Sequence, residues 1–457
     1  MDVVNPATHE IVGNVPELDP KALPELLATA KAAQRRWAAT TAAERKAVLA
    51  RFRQLLSEQK EELAKTLTLE VGKPLAQSRN ELNGTLPRLD FFLEHFEAEL
   101  QPRTVLGDGA EALEERIAFE PLGVIANVSA WNYPYFVGSN VFVPALLTGN
   151  AVLYKPSELC SLTGLAIERL LHQAGVPEGV FKTLIGGREL GAALVASAVD
   201  GVFFTGSYAT GRKIAESVAP RMIRLQLELG GKDPAYVCED VDVASAAAAL
   251  ADGAFYNTGQ SCCAVERIYV NERIYPQFLE AFVGEVKKFQ LGEPSDEGTY
   301  IGPLCRGEPA VRELTEQVAD ARSHGGRVLV GGQRASRQGS FFEPTVIADA
   351  TPGMRVMRDE SFGPIIGIAS VPDDEAALTA MADTEYGLTA AIYTRDEARA
   401  ARLLGQLPVG SAYVNCCDRV SPRLPWTGRK HSGIGSTLST LGIQAFLQPK
   451  AWHIRRG

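Results

Sequence analysis

Positive charge is in short supply in this chain: 46 Lys and Arg stand against 55 Asp and Glu, a formal net charge of −9 over 457 residues. That balance excludes the basic footprint of a nucleic-acid binder and makes acidic polymers poor partners. Long apolar runs are missing too. No stretch approaches the roughly eighteen residues that suggest a membrane span, and the first residues, MDVVNPATHEIVG, carry neither the basic nor the apolar region of a secretory signal. Histidine is scarce, with 6 in the chain, and there is neither a CxxC nor a His-rich cluster, so no metal centre is expected. The 7 cysteines are odd in number, and Cys262–Cys263 and Cys416–Cys417 are sequence neighbours, which a disulfide framework disfavours. The GxGxxG dinucleotide fingerprint, the GxSxG elbow of serine hydrolases, internal repeats and low-complexity linkers are all absent. The expectation is a soluble, cytoplasmic chain with reduced thiols, long enough for two or three domains.

What is present is alternation. Residues 21–105 are dominated by helical patterning, as in AERKAVLARFRQLLSEQKEELAKTL, and EERIAFEPLGVIANVS then alternates as a strand does. From residue 123 short β-rich runs (VIANVS, AVLYKPSE, FKTLIGG, GVFFTGS) are separated by amphipathic helices, which predicts a parallel sheet covered on both faces. After residue 232 the pattern restarts with PAYVCE, ERIYV, RVLVGG, TVIADA, IIGIAS and TAAIYT, predicting a second α/β domain. Ligands of such sheets bind at the carboxyl ends of the strands. That directs attention to Lys155, Ser157, Glu158, Gly186, Gly187, Gly206 and Ser207.

Taken singly, the motifs there leave two readings each. FTGSYATG (204–211) is a glycine turn into a helix N-terminus, suited to a phosphate and equally to an ordinary βα connection. In YKPSE, Glu158 is placed to accept both hydroxyls of an adenosine ribose, or to sit as a solvated charge beside Lys155. Glu228 in LELGGKDP is a lone acid before a double glycine, a general base if a nucleophile is near. Asn132 in AWNYP offers an amide to a developing oxyanion, or simply fills a turn. GQSCC (259–263) offers a thiol nucleophile, or two small core residues.

Their order along one chain is more specific. Asn132, Lys155, Glu158, Gly206-Ser207, LELGGK, GQSC and ESFGP (360–364), with flanking NPATHE, EVGKP, IGPL and WTGRKHSGIG, resemble the aldehyde dehydrogenase superfamily over essentially the whole chain. The resemblance implies an NAD-dependent, non-acylating enzyme with a Cys262 nucleophile, an oxyanion hole of Asn132 and the Cys262 N–H, and Glu228 activating the hydrolytic water. It implies NAD contacts from Trp131, Lys155, Ser157, Glu158, Gly187, Gly206, Ser207, Leu229, Glu360 and Phe362, with NADP disfavoured by Glu158. The family fold implies an α/β chain with a Rossmann-like dinucleotide-binding domain (1–103 and 123–231), an α/β catalytic domain (232–440) and a β-hairpin oligomerisation element (104–122 with 441–457), assembled as a homodimer or homotetramer. Departures from the family pattern are Ala130 for a proline, Tyr208 for a small residue, and Gln448 where many relatives have a second glutamate.

For a substrate pocket the resemblance implies Tyr133, Phe136, Asn140, Tyr256, Ser261, Cys263 and the loop 416–426, Cys417 included. Aromatic walls suit an apolar or aromatic aldehyde. Arg419 or Arg423 would instead clamp the carboxylate of a semialdehyde, and Asp418 would pair with the amine of an ω-aminoaldehyde. A cofactor-independent thiol esterase and a non-catalytic nucleotide-binding protein are the competing classes.

Overall fold

The computed structural model describes residues 1–107 and 113–455. The tip of the expected hairpin, 108–112, and the last two residues, 456–457, lie outside the described residues. Two short strands, β1 (Asp2–Val4) and β2 (Ile11–Asn14), open the chain. Four helices follow: α1 (Leu23–Ala38), α2 (Ala42–Glu58), α3 (Lys60–Val71) and α4 (Leu75–Glu99). α1 buries Leu23, Leu27, Ala30, Ala33 and Trp37, the spacing of one helical face. α2 starts on a capping box between Thr41 and Glu44, and α3 stops at Gly72, left-handed at φ +75. Strands β3 (Arg103–Leu106) and β4 (Leu113–Pro121) come next.

The alternating region forms β5 (Val124–Val128), α5 (Pro134–Leu147), β6 (Ala151–Lys155), α6 (Ser161–Ala174), β7 (Phe181–Thr183), α7 (Arg188–Ala196), β8 (Gly201–Thr205), α8 (Tyr208–Val218) and β9 (Arg224–Glu228). β5 to β9 are parallel, in the order β9-β8-β5-β6-β7. The chain starts at β5, winds outward through β6 to β7, then crosses back to β8 and β9. The reversal between β5 and β8 opens a crevice at the strands' carboxyl ends.

The second sheet and its helices are built from β10 (Asp233–Val237), α9 (Val243–Phe255), β11 (Val265–Asn271), α10 (Tyr275–Val286), α11 (Glu308–Ser323), β12 (Arg327–Val330), β13 (Thr345–Ala348), α12 (Arg355–Arg358), β14 (Ile365–Val371), α13 (Asp374–Ala382), β16 (Thr389–Tyr393), α14 (Glu397–Leu404) and β17 (Ser411–Val414), while β15 (Tyr386–Gly387), between α13 and β16, lies outside this sheet and pairs antiparallel with Arg429–Lys430. Its order is β12-β13-β14-β11-β10-β16-β17, parallel except at β12. Four small elements end the chain: β18 (Arg429–Lys430), β19 (Gly433–Ile434), α15 (Ser439–Gln444) and β20 (Leu447–Arg455). β19 does not join the second sheet. It returns to pair antiparallel with β9, Gly433 opposite Glu228. β20 lies along β4 from Leu447–Pro121 to Arg455–Leu113, making a three-stranded sheet β20-β4-β3 apart from the other two. Among the described residues no helix is long and apolar enough to cross a membrane.

Candidate active site

After α9 and Tyr256 come three consecutive left-handed residues, Asn257 (φ 54), Thr258 (φ 59) and Gly259 (φ 69). Only glycine fits the third position, since a Cβ there would lie 2.2 Å from the Gly363 carbonyl oxygen. This turn is pinned by its own polar groups. Asn257 donates to the carbonyls of Asn132 (3.3 Å) and Gln260 (3.0 Å), Gly302 N–H donates to Thr258 Oγ1, and Gln260 Oε1 accepts from Cys305 N–H at 2.9 Å. The result presents Cys262 half-buried while Cys263 is buried.

The two thiols are not equivalent. Cys263 Sγ donates to Asp418 Oδ1 at 2.9 Å, and Ser261 Oγ donates to the same oxygen at 3.2 Å. Contact with the Cys262 sulfur first, and burial second, push the Cys263 thiol well above the ordinary range. Among the described residues Cys262 makes no bond to Asp418; its sulfur meets that of Cys263. The Asn132 side chain uses one of its two N–H groups, donating to the Gln260 carbonyl at 3.1 Å. Its second N–H and the backbone N–H of Cys262 have no partner among the described residues. An open thiol flanked by two unpaired donors can host a developing oxyanion.

Glu228 ends β9, buried at 7% exposure. It accepts from Thr437 Oγ1, and from Gln226 Nε2 at 3.2 Å. Burial raises its carboxyl to about 7, with the Thr437 bond opposing. The following glycines bring this segment against the nucleophile turn: a Cβ on Gly231 would sit 2.9 Å from the Cys262 carbonyl oxygen. Gln448 does not reach this carboxylate. It is exposed on β20 opposite Glu120 and donates to the Pro121 carbonyl, so the residues that touch Glu228 are Thr437 and Gln226.

The crevice gathers the expected nucleotide residues from five strand ends. Lys155, 4% exposed, donates to the Pro156 carbonyl at 3.2 Å and lies 3.9 Å from the half-exposed Glu158; burial lowers its pKa. Ser157 caps the short turn that begins at Glu158. Gly187 precedes α7 with nothing within 4 Å of where a side chain would start. Gly206 donates to the Glu228 carbonyl, and Ser207 caps α8, whose Tyr208 and Ala209 N–H groups have no partner among the described residues, the arrangement that receives a phosphate. Leu229 packs where Gly211 lacks a side chain. Glu360 folds over Gly230 and accepts from Gly231 N–H at 3.1 Å; burial first and Glu266 second raise it to about 8. Phe362 meets Trp131 edge-on at 5.6 Å. These open glycines and free N–H groups fit a dinucleotide running from Glu158 to Phe362.

Beneath Phe362 lies a network that the sequence does not single out. Glu266 accepts from Ser361 and Phe362 N–H groups and pairs with buried Lys232 at 2.6 Å, fixing the left-handed Phe362 (φ 49). Lys232 stands within LELGGKDP, but nothing local names Glu266 as its partner.

Tyr133 and Phe136 stack at 5.7 Å on the first turn of α5, and Tyr256 OH accepts from Asn80 at 3.2 Å. Of the loop 416–426, Asp418 is the residue that meets Ser261 and Cys263. Cys417 faces away: its sulfur accepts from Tyr393 OH at 3.3 Å and donates to the Ala249 carbonyl at 3.5 Å, inside the second sheet's core. Arg419 and Arg423 are exposed. Asn140 is buried and accepts from Arg88, a residue the sequence reading missed. Arg88 was legible as a charge on the apolar stripe of α4, next to Leu89 and Phe92.

The family model described as "Aldehyde dehydrogenase family" matches residues 1–452. The succinate-semialdehyde dehydrogenase [NADP(+)] of Deinococcus radiodurans is 36% identical over 448 residues, covering 98% of this chain and 93% of the relative. The peroxisomal aminoaldehyde dehydrogenase 2 of Malus domestica is 34% identical, covering 98% and 91%. A crystal structure of an E. coli NADP-dependent enzyme superposes at a TM-score of 0.96 with 33% identity, covering 100% of this chain and 94% of that one.

Proposed function

The chain belongs to the aldehyde dehydrogenase family, and from that premise we propose that it oxidises an aldehyde to its carboxylic acid, with Cys262 as nucleophile and NAD as cofactor. The observation that carries this reading is the half-buried Cys262 thiol flanked by two unpartnered N–H donors. The Cys262 sulfur adds to the aldehyde carbon, and the carbonyl π electrons become an alkoxide held by Asn132 and the Cys262 N–H. A dinucleotide held along Glu158 to Phe362 would supply the hydride acceptor; loss of hydride from this carbon re-forms the C=O and leaves an acyl thioester on Cys262. Glu228, ionised, takes a proton from water as the oxygen attacks the thioester carbonyl. The acid leaves and the sulfur is released. A base whose pKa is about 7 suits this step, since it is both available and proton-seeking near neutrality.

The choice of NAD rests on Glu158, whose half-exposed carboxylate stands just past the end of β6, where an adenosine ribose would lie, and would repel a 2′-phosphate. The stacked Tyr133 and Phe136 suit the alkyl chain of the aldehyde. Free cysteines throughout suit a reducing compartment such as the cytoplasm. Exposed β20 is the surface through which copies of the chain would assemble.

The test follows reduced dinucleotide at 340 nm (the usual reporter) with aldehyde present. Cys262→Ala is expected to abolish its formation while Cys263→Ala retains most of it. The reverse pattern would reassign the nucleophile, and aldehyde-independent ester cleavage without reduction would favour the thiol-esterase reading.

A further inference from the structure

Helix α4 carries a cation toward this site. Arg88 is 5% exposed. A guanidinium removed from water ordinarily needs a carboxylate, because the penalty for burying an ion is several kcal/mol. Among the described residues Arg88 has no ion pair. Its guanidinium carbon sits 3.8 Å over the Phe136 ring, and of its five N–H donors one is used, Nη1 donating to Asn140 Oδ1 at 3.2 Å. Glu81, the acid that acts on it most strongly, is already committed. One of its oxygens pairs with Lys73, and the other accepts from the N–H groups of Tyr135 (2.8 Å) and Phe136 (3.4 Å). Burial lowers the guanidinium to about 10. The other groups opposing that shift are Cys263, Glu228 and Cys262: the neighbouring thiol, the proposed base and the proposed nucleophile.

We propose that Arg88, with Asn140 beside it, binds a carboxylate at the far end of the aldehyde, so that the preferred substrates are short ω-oxo carboxylates. The proposal rests on aldehyde oxidation at Cys262. A carboxylate would take Nε and Nη2 together, the two-bond geometry that suits guanidinium, with the alkyl chain along Phe136. An apolar aldehyde would leave those two donors without a charged acceptor. An ammonium end would need Asp418, but that carboxyl already accepts from Cys263 and Ser261, and burial raises its pKa toward the neutral form. The arginines of the 416–426 loop are exposed and do not compete for this role.

Succinic semialdehyde, butanal and 4-aminobutanal share a four-carbon chain and differ at its end, so they form the test set. For the natural chain kcat/KM for succinic semialdehyde is expected to exceed that for butanal by about tenfold or more. Arg88→Met should lower that ratio by about 10- to 100-fold, the range of one charge-assisted hydrogen bond, chiefly through KM, and Arg88→Lys should recover part of it. A second reading needs no variant: succinate should compete with butanal, and succinamide should not. Equal kcat/KM for semialdehyde and butanal, preference for 4-aminobutanal, or an Arg88→Met that lowers all three substrates alike would overturn the assignment of Arg88. No reduction with any aldehyde would overturn the oxidation reading, and this one with it.

Discussion

Thr437 and Gln226 both hydrogen-bond the Glu228 carboxyl, and together they restrain a pKa that burial lifts to about 7. Below that value the carboxyl is neutral and cannot accept a proton, so the hydrolytic step should slow about tenfold per pH unit on the acid side and level off above it. Thr437→Val removes a donor that favours the charged form. Its kcat profile, measured from pH 5.5 to 9, should therefore move to higher pH, while Gln448→Ala should leave it in place; an unmoved Thr437→Val profile would contradict the pairing. At this scale the motifs GQSCC and LELGGK made Cys262 and Glu228 legible. The Thr437 contact was not, because its partners are 209 residues apart and meet only where β19 returns to β9. The same limit applies to Cys417 and Asp418, neighbours in sequence whose side chains face opposite ways once the loop is folded.

Most strands of both sheets were legible as elements, because fully buried parallel strands read as short apolar runs: VIANVS is β5, ERIYV lies in β11 and TAAIYT contains β16. Strand order was not, since hydrophobicity reports burial and not neighbours. β17 escaped notice because its residues are only partly buried, and β19 because two residues carry no periodicity. Nor did the sequence announce that three left-handed residues follow α9 and Tyr256, because only Gly259 carries a conformational signal. The end of β6 carries the element-level prediction. Glu158→Ser removes the carboxylate proposed to meet the ribose, and the ratio of kcat/KM for NADP to that for NAD should rise by about tenfold, or ~1.4 kcal/mol. An unchanged ratio would mean that Glu158 does not meet the ribose.

For the whole molecule, the three-stranded sheet β20-β4-β3 is the part least explained by a single chain. β20 is an edge strand of nine residues, exposed over most of its length, with Trp452 at 45% exposure. A long unpaired edge with apolar side chains is a template for a second chain. Light scattering on the eluting protein should give a multiple of 49.2 kDa, and Trp452→Asp combined with Ile454→Asp should reduce it toward one chain. A natural protein that elutes as a monomer at micromolar concentration would contradict the role given to β20.

The central claim concerns one sulfur and is open to a direct measurement. Glu228→Gln keeps the side chain's shape and removes the base, so oxidation should run once and hydrolysis should stall. Rapid quenching after mixing this variant with NAD and succinic semialdehyde, followed by weighing of its peptides, is expected to give close to one reduced nicotinamide per chain and an acyl group on Cys262. Reduced nicotinamide without an acylated peptide, or acylation at Cys263, would contradict the account.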